Sequence, residues 1–169
     1  QAIMYFDKSI KIKATSDGYR GKARSFHKLE KYDDAINCYD KAINLHNEKK
    51  LISPYGSVVK QIAEIWVKKG SSCQKKENYD DAINCYDKAL ESEPKYDVAL
   101  MNKGNTLRIL EQYSDAIKCL DDAIKINPKD YYPHHRKTLA NINWEKYSDA
   151  IKLAENLLER FPEESEQTT

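Results

Sequence analysis

The sequence predicts an all-α protein, a solenoid of antiparallel helix pairs, on three observations. An eleven-residue stretch, YDDAINCYDKA, occurs identically at 32–42 and at 79–89. An alanine inside it recurs along the chain as Ala35, Ala82, Ala116 and Ala150, the last two steps being 34 residues each. Around each anchor the apolar residues fall at helical spacing, as in Ala82, Ile83, Tyr86, Ala89 and Leu90, which makes one stripe that must be covered. Self-similarity at such a period marks a repeat array, whose units bury their stripes only by stacking on one another.

Taken in order, the chain opens with QAIMYFDKSIKI, where Ala2, Phe6 and Ser9 hold the Ala, aromatic and small positions of a second helix. It therefore opens in mid-repeat and reads as a fragment of a longer repeat protein. A tyrosine stands three residues before each anchor (Tyr32, Tyr79, Tyr113, Tyr147), and Pro94, Pro128 and Pro162 stand twelve after the last three. Those prolines stop helices because they cannot donate the next backbone hydrogen bond. Upstream, Gly70 and Gly104 lie twelve before their anchors, and Trp66 and Leu100 sixteen before.

This pattern resembles the tetratricopeptide repeat, a 34-residue helix-turn-helix unit with a large residue, Gly, aromatic, Ala, aromatic, Ala and Pro at these offsets. The resemblance is strongest over 62–128. It is looser in 16–49 and 131–164, where Ala23 and Thr138 replace the glycine. It implies a right-handed superhelix divided as follows: 1–14 the second helix of a truncated repeat, 16–49 a repeat, 50–62 an insertion or helix extension, 63–96, 97–130 and 131–164 repeats, and 165–169 a tail.

The insertion accounts for the 47-residue offset of the duplicated stretch. Between Ala42 and Trp66 lie 24 positions where Ala89 to Leu100 takes 11, so thirteen residues are extra. Ser53-Pro54 suits a helix start, Ser as N-cap and Pro in the first turn. Val58, Ile62, Ile65 and Trp66 then continue at helical spacing, so the first helix of that repeat is expected to be about two turns longer. Alternatively the preceding second helix runs on through Leu51 and Ile52. The insertion is either a tolerated surface excursion or an accessory contact through Tyr55, Val58 and Val59. At the far end, Leu153, Leu157 and Leu158 are expected to be partly exposed, a patch through which the terminal repeats could self-associate.

Composition excludes several classes. With 40% hydrophobic and 33% charged residues, the chain has no apolar run long enough to span a membrane and no signal-peptide layout, so no membrane role and a cytoplasmic location are expected. The net charge of +1 hides an asymmetry: residues 1–76 carry 16 Lys+Arg against 8 Asp+Glu, and 77–169 carry 12 against 19. Cys38, Cys73, Cys85 and Cys119 form no CxxC pair, and Cys38, Cys85 and Cys119 occupy one slot in successive units, too far apart for a disulfide. No phosphate-cradling loop or nucleophile motif occurs, so the protein is not expected to be an enzyme or to need a cofactor. His134 and His135 are neighbours on a helix, about 100° apart, a poor arrangement for one metal ion; exposed or groove-facing rings are expected instead.

The resemblance also implies that first helices line a concave groove that takes extended peptides or partner helices. By spacing from the anchors, the groove-facing residues include Asp17, Glu64 and His135 and, as the ones expected to hold a peptide, Arg20, Arg24, Lys68, Met101, Asn102, Asn105, Arg108 and Arg136, with Val67 adding an apolar surface. The groove is thus expected to be basic and to suit an acidic peptide. Chaperone-binding members of the family clamp a C-terminal carboxylate. The corresponding positions here are Val67, Ser71, Asn102, Tyr132 and Arg136, and Val67 and Tyr132 disqualify the clamp. Nucleic acid is disfavoured as a partner, because an RNA-binding helical-repeat protein needs aromatics among its cations and the groove offers little besides Tyr132. A regulatory repeat region of a larger enzyme is the other alternative.

Overall fold

Small residues at fixed offsets decide where helices meet, and the computed structural model shows those meetings directly. It describes residues 1–50 and 56–162, with side chains described at 1–48 and 59–162. Among the described residues nine helices occur and no strand: α1 Ala2–Ile12, α2 Ser16–Lys28, α3 Tyr32–Lys50, α4 Gly56–Lys75, α5 Tyr79–Ser92, α6 Asp97–Ile109, α7 Tyr113–Ile126, α8 Tyr131–Asn143 and α9 Tyr147–Arg160. They fall into two compact units, 1–94 and 95–169. In the first, α2 pairs with α3 and α4 with α5; in the second, α6 pairs with α7 and α8 with α9.

The pairs α4 with α5 and α6 with α7 close where one helix offers no side chain and the other a large one. A Cβ on Gly70 would meet the Tyr86 ring at 2.6 Å, and one on Gly104 would meet Leu120 Cγ at 2.8 Å. Tyr86 and Leu120 are fully buried, as are the anchors Ala35, Ala82 and Ala116. At the equivalent positions of the last pair stand Thr138 and Ala154, a larger residue matched by a smaller one, as close packing requires.

The turns inside the pairs are built alike. Glu30, Glu77, Glu111 and Glu145 all adopt φ between 59° and 62°. The N–H of the following residue reaches back five positions, Lys31 to the Phe26 carbonyl, Asn78 to Cys73, Gln112 to Leu107 and Lys146 to Asn141, at 2.9–3.0 Å. This is the Schellman closure, which satisfies the last carbonyls of the first helix and aims the chain into the second. Asp33, Asp34, Asp80, Asp81, Asp115 and Asp149 then sit in the first turns of second helices, where the helix dipole favours a negative charge.

Ion pairs tie one layer to the next at a repeating position. Lys22 of α2 holds Asp7 of α1 at 2.5 Å, Lys69 of α4 pairs with Asp40 of α3, and Lys137 of α8 holds Asp121 of α7 at 2.6 Å. Each aspartate lies five residues after its helix's anchor alanine, and each lysine thirteen before the next. The hydrogen bond to Asp7 raises the Lys22 ammonium above its ordinary value, more than burial lowers it. Lys69 also lies 5.4 Å from the centre of the Trp66 ring, which Lys88 approaches from 4.7 Å.

Both helices flanking the insertion are long. α3 has 19 residues where α5 has 14, and α4 has 20 where α6 has 13. Five extra residues in the second helix and seven in the first thus take up all but one of the thirteen. Ser53 and Pro54 lie outside the described residues, as do Leu51, Ile52, Tyr55, the side chain of Val58 and the tail 165–169.

Two residues expected at the surface are interior. Leu157 is buried against Tyr131 and Phe161, because α9 folds back on α8; of the expected leucines Leu158 is exposed and Leu153 only half-buried. His134 is 7% exposed, with Nε2 3.2 Å from the Pro128 carbonyl and its ring tilted against Phe161.

The close contact at Gly70 predicts a double-mutant cycle. Gly70→Ala is expected to cost about 1–3 kcal/mol by overpacking. In a Tyr86→Ala background, itself about 3–5 kcal/mol less stable, the same change is expected to be neutral or favourable by up to about 1 kcal/mol, as helix propensity dictates. Urea unfolding of the four proteins measures both. Separately, Glu111→Gly relieves a left-handed residue and is expected to raise stability by about 1 kcal/mol.

Candidate functional site

Within each unit the first helices crowd together and the second helices stand apart. α2 touches α4 and α6 packs on α8, whereas α3 with α5 and α7 with α9 make no comparable contact. The first helices therefore line the inner face of each unit, where their half-buried and exposed polar side chains lie.

In the second unit that face is built by α6 and α8. Met101 and Asn102 are half-buried on α6, and Asn105 one turn on is 9% exposed. Arg108 donates from Nη2 and Nε to the Asn105 Oδ1 at 3.2 and 3.4 Å, so the guanidinium is oriented by its own helix at i, i+3. Across on α8, His135 stacks on Tyr131 with ring centres 5.4 Å apart and lies 3.4 Å from its hydroxyl. Burial holds its imidazole below the ordinary value, and the positive charges of Arg136 and Arg108 lower it further. Arg108 and Arg136 thus both set positive charge near His135, and Met101 lies two turns before Arg108 on the same face of α6.

In the first unit the inner face is built by α2 and α4. Arg20 pairs with Asp17 at 2.8 Å, an exposed i, i+3 pair of the kind worth about 0–1 kcal/mol. Arg24 and Lys68 are exposed to solvent. Between them and the core, His27 Nδ1 lies 2.8 Å from the Ser72 hydroxyl, which also reaches the Lys68 carbonyl at 3.2 Å. With the single Ser72 proton on that carbonyl, His27 Nδ1 is the donor. Burial lowers the His27 imidazole, and Lys68 and Lys75 add to the effect.

Of the eight predicted residues seven are half-buried or exposed, Asn105 being the buried one. Val67 adds no apolar surface, contrary to expectation. It is 3% exposed, on a helix that packs against α2, α3 and α5. Of the positions equivalent to the carboxylate clamp, Tyr132 is 61% exposed and carries no cation. The two adjacent histidines of α8 go to different partners, His134 to Pro128 and His135 to Tyr131. Among the described residues no group of three or more His, Cys, Asp or Glu could hold a metal ion.

Sequence spacing also missed a pair of thiols. Cys73 of α4 and Cys85 of α5, both buried, are hydrogen-bonded to each other across one helix pair. The Cys85 thiol donates and is pushed far up, while the Cys73 thiol accepts and is lowered. Comparing only the equivalent slots Cys38, Cys85 and Cys119 hid this contact, which joins two different slots of one repeat.

Two family models, both described as tetratricopeptide repeat, match residues 63–96 and 98–130 and residues 19–48, together more than half of the chain. The chain belongs to the tetratricopeptide repeat family. Its fold is similar to that of the crystal structure of MamA, with a TM-score of 0.79 over 97% of this chain and 89% of that one at 18% identity. YrrB, a tetratricopeptide repeat protein described as having an unusual peptide-binding site, aligns with a TM-score of 0.72 over 95% and 77% at 14% identity. The first such domain of Spaghetti (RPAP3), bound to the HSP90 peptide SRMEEVD, aligns with a TM-score of 0.58 over 62% and 82% at 27% identity. No curated protein matches the chain in sequence. No described helix is long and apolar enough to cross a membrane.

The three lowered imidazoles make a pH prediction. His27, His134 and His135 are each held below their ordinary value mainly by burial. The unfolded chain therefore binds more protons as pH falls below about 6.5, and stability rises with pH in that window. The full contribution is present above the unfolded value and is lost as pH falls through the folded ones. Calorimetry is expected to show the Tm falling from about pH 7.5 to about pH 5.5, with a shallower slope for His134→Asn.

Proposed function

We propose that the protein is a non-catalytic scaffold that holds an acidic peptide segment of a partner protein on the basic inner face of its first helices. The observation that carries this reading is the positive charge that Arg108 and Arg136 both set near His135, with half-buried Met101 and Asn102 on the same helix as Arg108. Guanidinium groups suit carboxylates through charge-assisted bonds, Asn102 can bond the peptide backbone, and Met101 supplies an adaptable apolar contact. Arg20, Arg24 and Lys68 give the inner face of the first unit the same sign of charge. The RPAP3 domain, at 27% identity, supports the reading, since its bound peptide SRMEEVD carries three acidic side chains. Recognition here would rest on those side chains rather than on a terminal carboxylate, because Val67 and Tyr132 occupy clamp positions. Four free cysteines suit a reducing compartment and support a cytoplasmic location.

Fluorescence anisotropy with labelled SRMEEVD tests the reading. Binding is expected to weaken at least about tenfold in the Asn102→Ala, Arg108→Ala, Arg136→Ala triple variant, since each charge-assisted bond contributes about 1.5–3 kcal/mol. It is expected to weaken comparably for the neutral peptide SRMQQVN and to change little on amidation of the peptide's C-terminus. Equal binding of SRMEEVD and SRMQQVN, or tighter binding of single-stranded poly(U) than of either, would defeat it.

A further inference from the structure

α4 and α5 approach most closely around one tyrosine. A Cβ on Gly70 would meet the Tyr86 ring at 2.6 Å, and the Tyr86 hydroxyl donates to Gln74 Oε1 at 3.3 Å, so Tyr86 spans the α4 segment from Gly70 to Gln74. Cys73 lies inside that segment and Cys85 is the chain neighbour of Tyr86. Both thiols are buried, and that of Cys85 donates a hydrogen bond to Cys73. Helices whose axes run about 8 Å apart, as a glycine at the crossing allows, bring facing backbones to the separation a disulfide spans, about 4.4–6.8 Å between Cα atoms.

The other helix pairs lack this arrangement. At the slot of Cys73 stand Phe26, Leu107 and Asn141, all larger than cysteine, so packing alone does not call for a thiol there; at the slot of Cys85 stand Cys38, Cys119 and Leu153. The two slots also lie near solvent. Phe26 and Cys38 line one surface cavity, and Asn141 and Leu153 line another, so a solute as small as a peroxide has a short path to the equivalent place between α4 and α5. Lys69, one turn before Cys73, sets positive charge on both sulfurs, lowering Cys73 more than Asp81 or Asp40 raises it. A nearby cation favours the thiolate, the nucleophilic form.

We propose that Cys73 and Cys85 are a redox pair, closed to a disulfide by hydrogen peroxide and reopened by a dithiol reductant, whose closed form staples α4 to α5. The Cys73 thiolate attacks one peroxide oxygen, the O–O bond breaks, and the departing hydroxide leaves as water with the proton Cys73 gave up. Cys73 is then a sulfenic acid. The Cys85 sulfur attacks the Cys73 sulfur, the S–O bond breaks, and a second water leaves with the Cys85 proton. The two sulfurs together lose two electrons, which reduce one peroxide to two waters. A transient disulfide of this kind is compatible with the reduced state of all four cysteines and with a reducing compartment. It acts on the α4–α5 pair, apart from any peptide on the inner face.

The test is peroxide treatment of the reduced protein in native buffer, followed by alkylation, digestion and mass spectrometry, at a dose that oxidises the urea-unfolded chain. A peptide linking Cys73 to Cys85 is expected, lighter by two hydrogens, with Cys38 and Cys119 alkylated as thiols. The Tm is expected to rise by about 5 °C on oxidation and to return with dithiothreitol. The Cys38→Ser, Cys119→Ser double variant keeps the pair and is expected to behave alike. Cys73→Ser and Cys85→Ser, each checked for helix content by circular dichroism, are expected to lose both the link and the rise. All four thiols surviving, sulfinic acid at Cys73 without a link, a link through Cys38 or Cys119 instead, or an unchanged Tm in the linked protein would each overturn the proposal.

Discussion

Everything else in this chain depends on how closely two helices of a pair can approach. At Gly70 and Gly104 the first helix brings bare backbone against Tyr86 and Leu120, and those side chains are the largest fully buried groups of their pairs. Anchor alanines beside them, with no exposed surface at Ala82 and Ala116, let the backbones stay near while the large residue fills the gap. Interiors packed to crystal density tolerate few other solutions. The constraint explains why substitutions come in matched sets, with Thr138 opposite Ala154 in the last pair, and why the duplicated YDDAINCYDKA is a packing surface rather than a reactive motif.

Much of the fold was legible because this constraint repeats. Anchors 34 residues apart, tyrosines at a fixed offset and prolines after the second helices mark pairs that the helices reproduce. The insertion was legible in length but not in distribution. Thirteen extra residues could belong to either neighbouring helix, and helical spacing through Val58, Ile62, Ile65 and Trp66 spoke for only one of them, whereas α3 and α4 both lengthen. Burial was less legible wherever it depends on more than one neighbour. Val67 is buried where its equivalents Met101 and His135 are half-buried, and His134 is buried where Trp66 and Leu100 are half-buried, because Phe161 meets it, whereas Leu157 takes the slot of Ala42, Ala89 and Ala123, which is buried in every unit.

The interlayer ion pairs show a second limit. Asp40 and Lys69, or Asp121 and Lys137, lie at constant offsets from their own anchors, so the regularity is present in the sequence. Its two halves belong to different repeats, and an alignment that compares one repeat with another never sets them side by side. The candidate site was legible for a different reason and to a lesser degree. Residues that packing does not use obey no spacing rule, so spacing could assign Arg108 and Arg136 to the inner face, but not the hydrogen bonds that tie Arg108 to Asn105 or the stacking of His135 on Tyr131.

These two kinds of residue divide the work of the molecule. Second helices spend both flanks on packing, one against their own first helix through Ala and Tyr or Leu, the other against the next layer through Tyr, Ile and Asp. First helices meet the same neighbours with Gly, small residues and a lysine, and so keep a free inner side. Binding chemistry can vary at its exposed positions, such as Arg24 and Lys68, because neither is a residue on which a helix pair closes. The outer stripe is structural where a layer covers it, as α4 covers Ile36 and α8 covers Ile117.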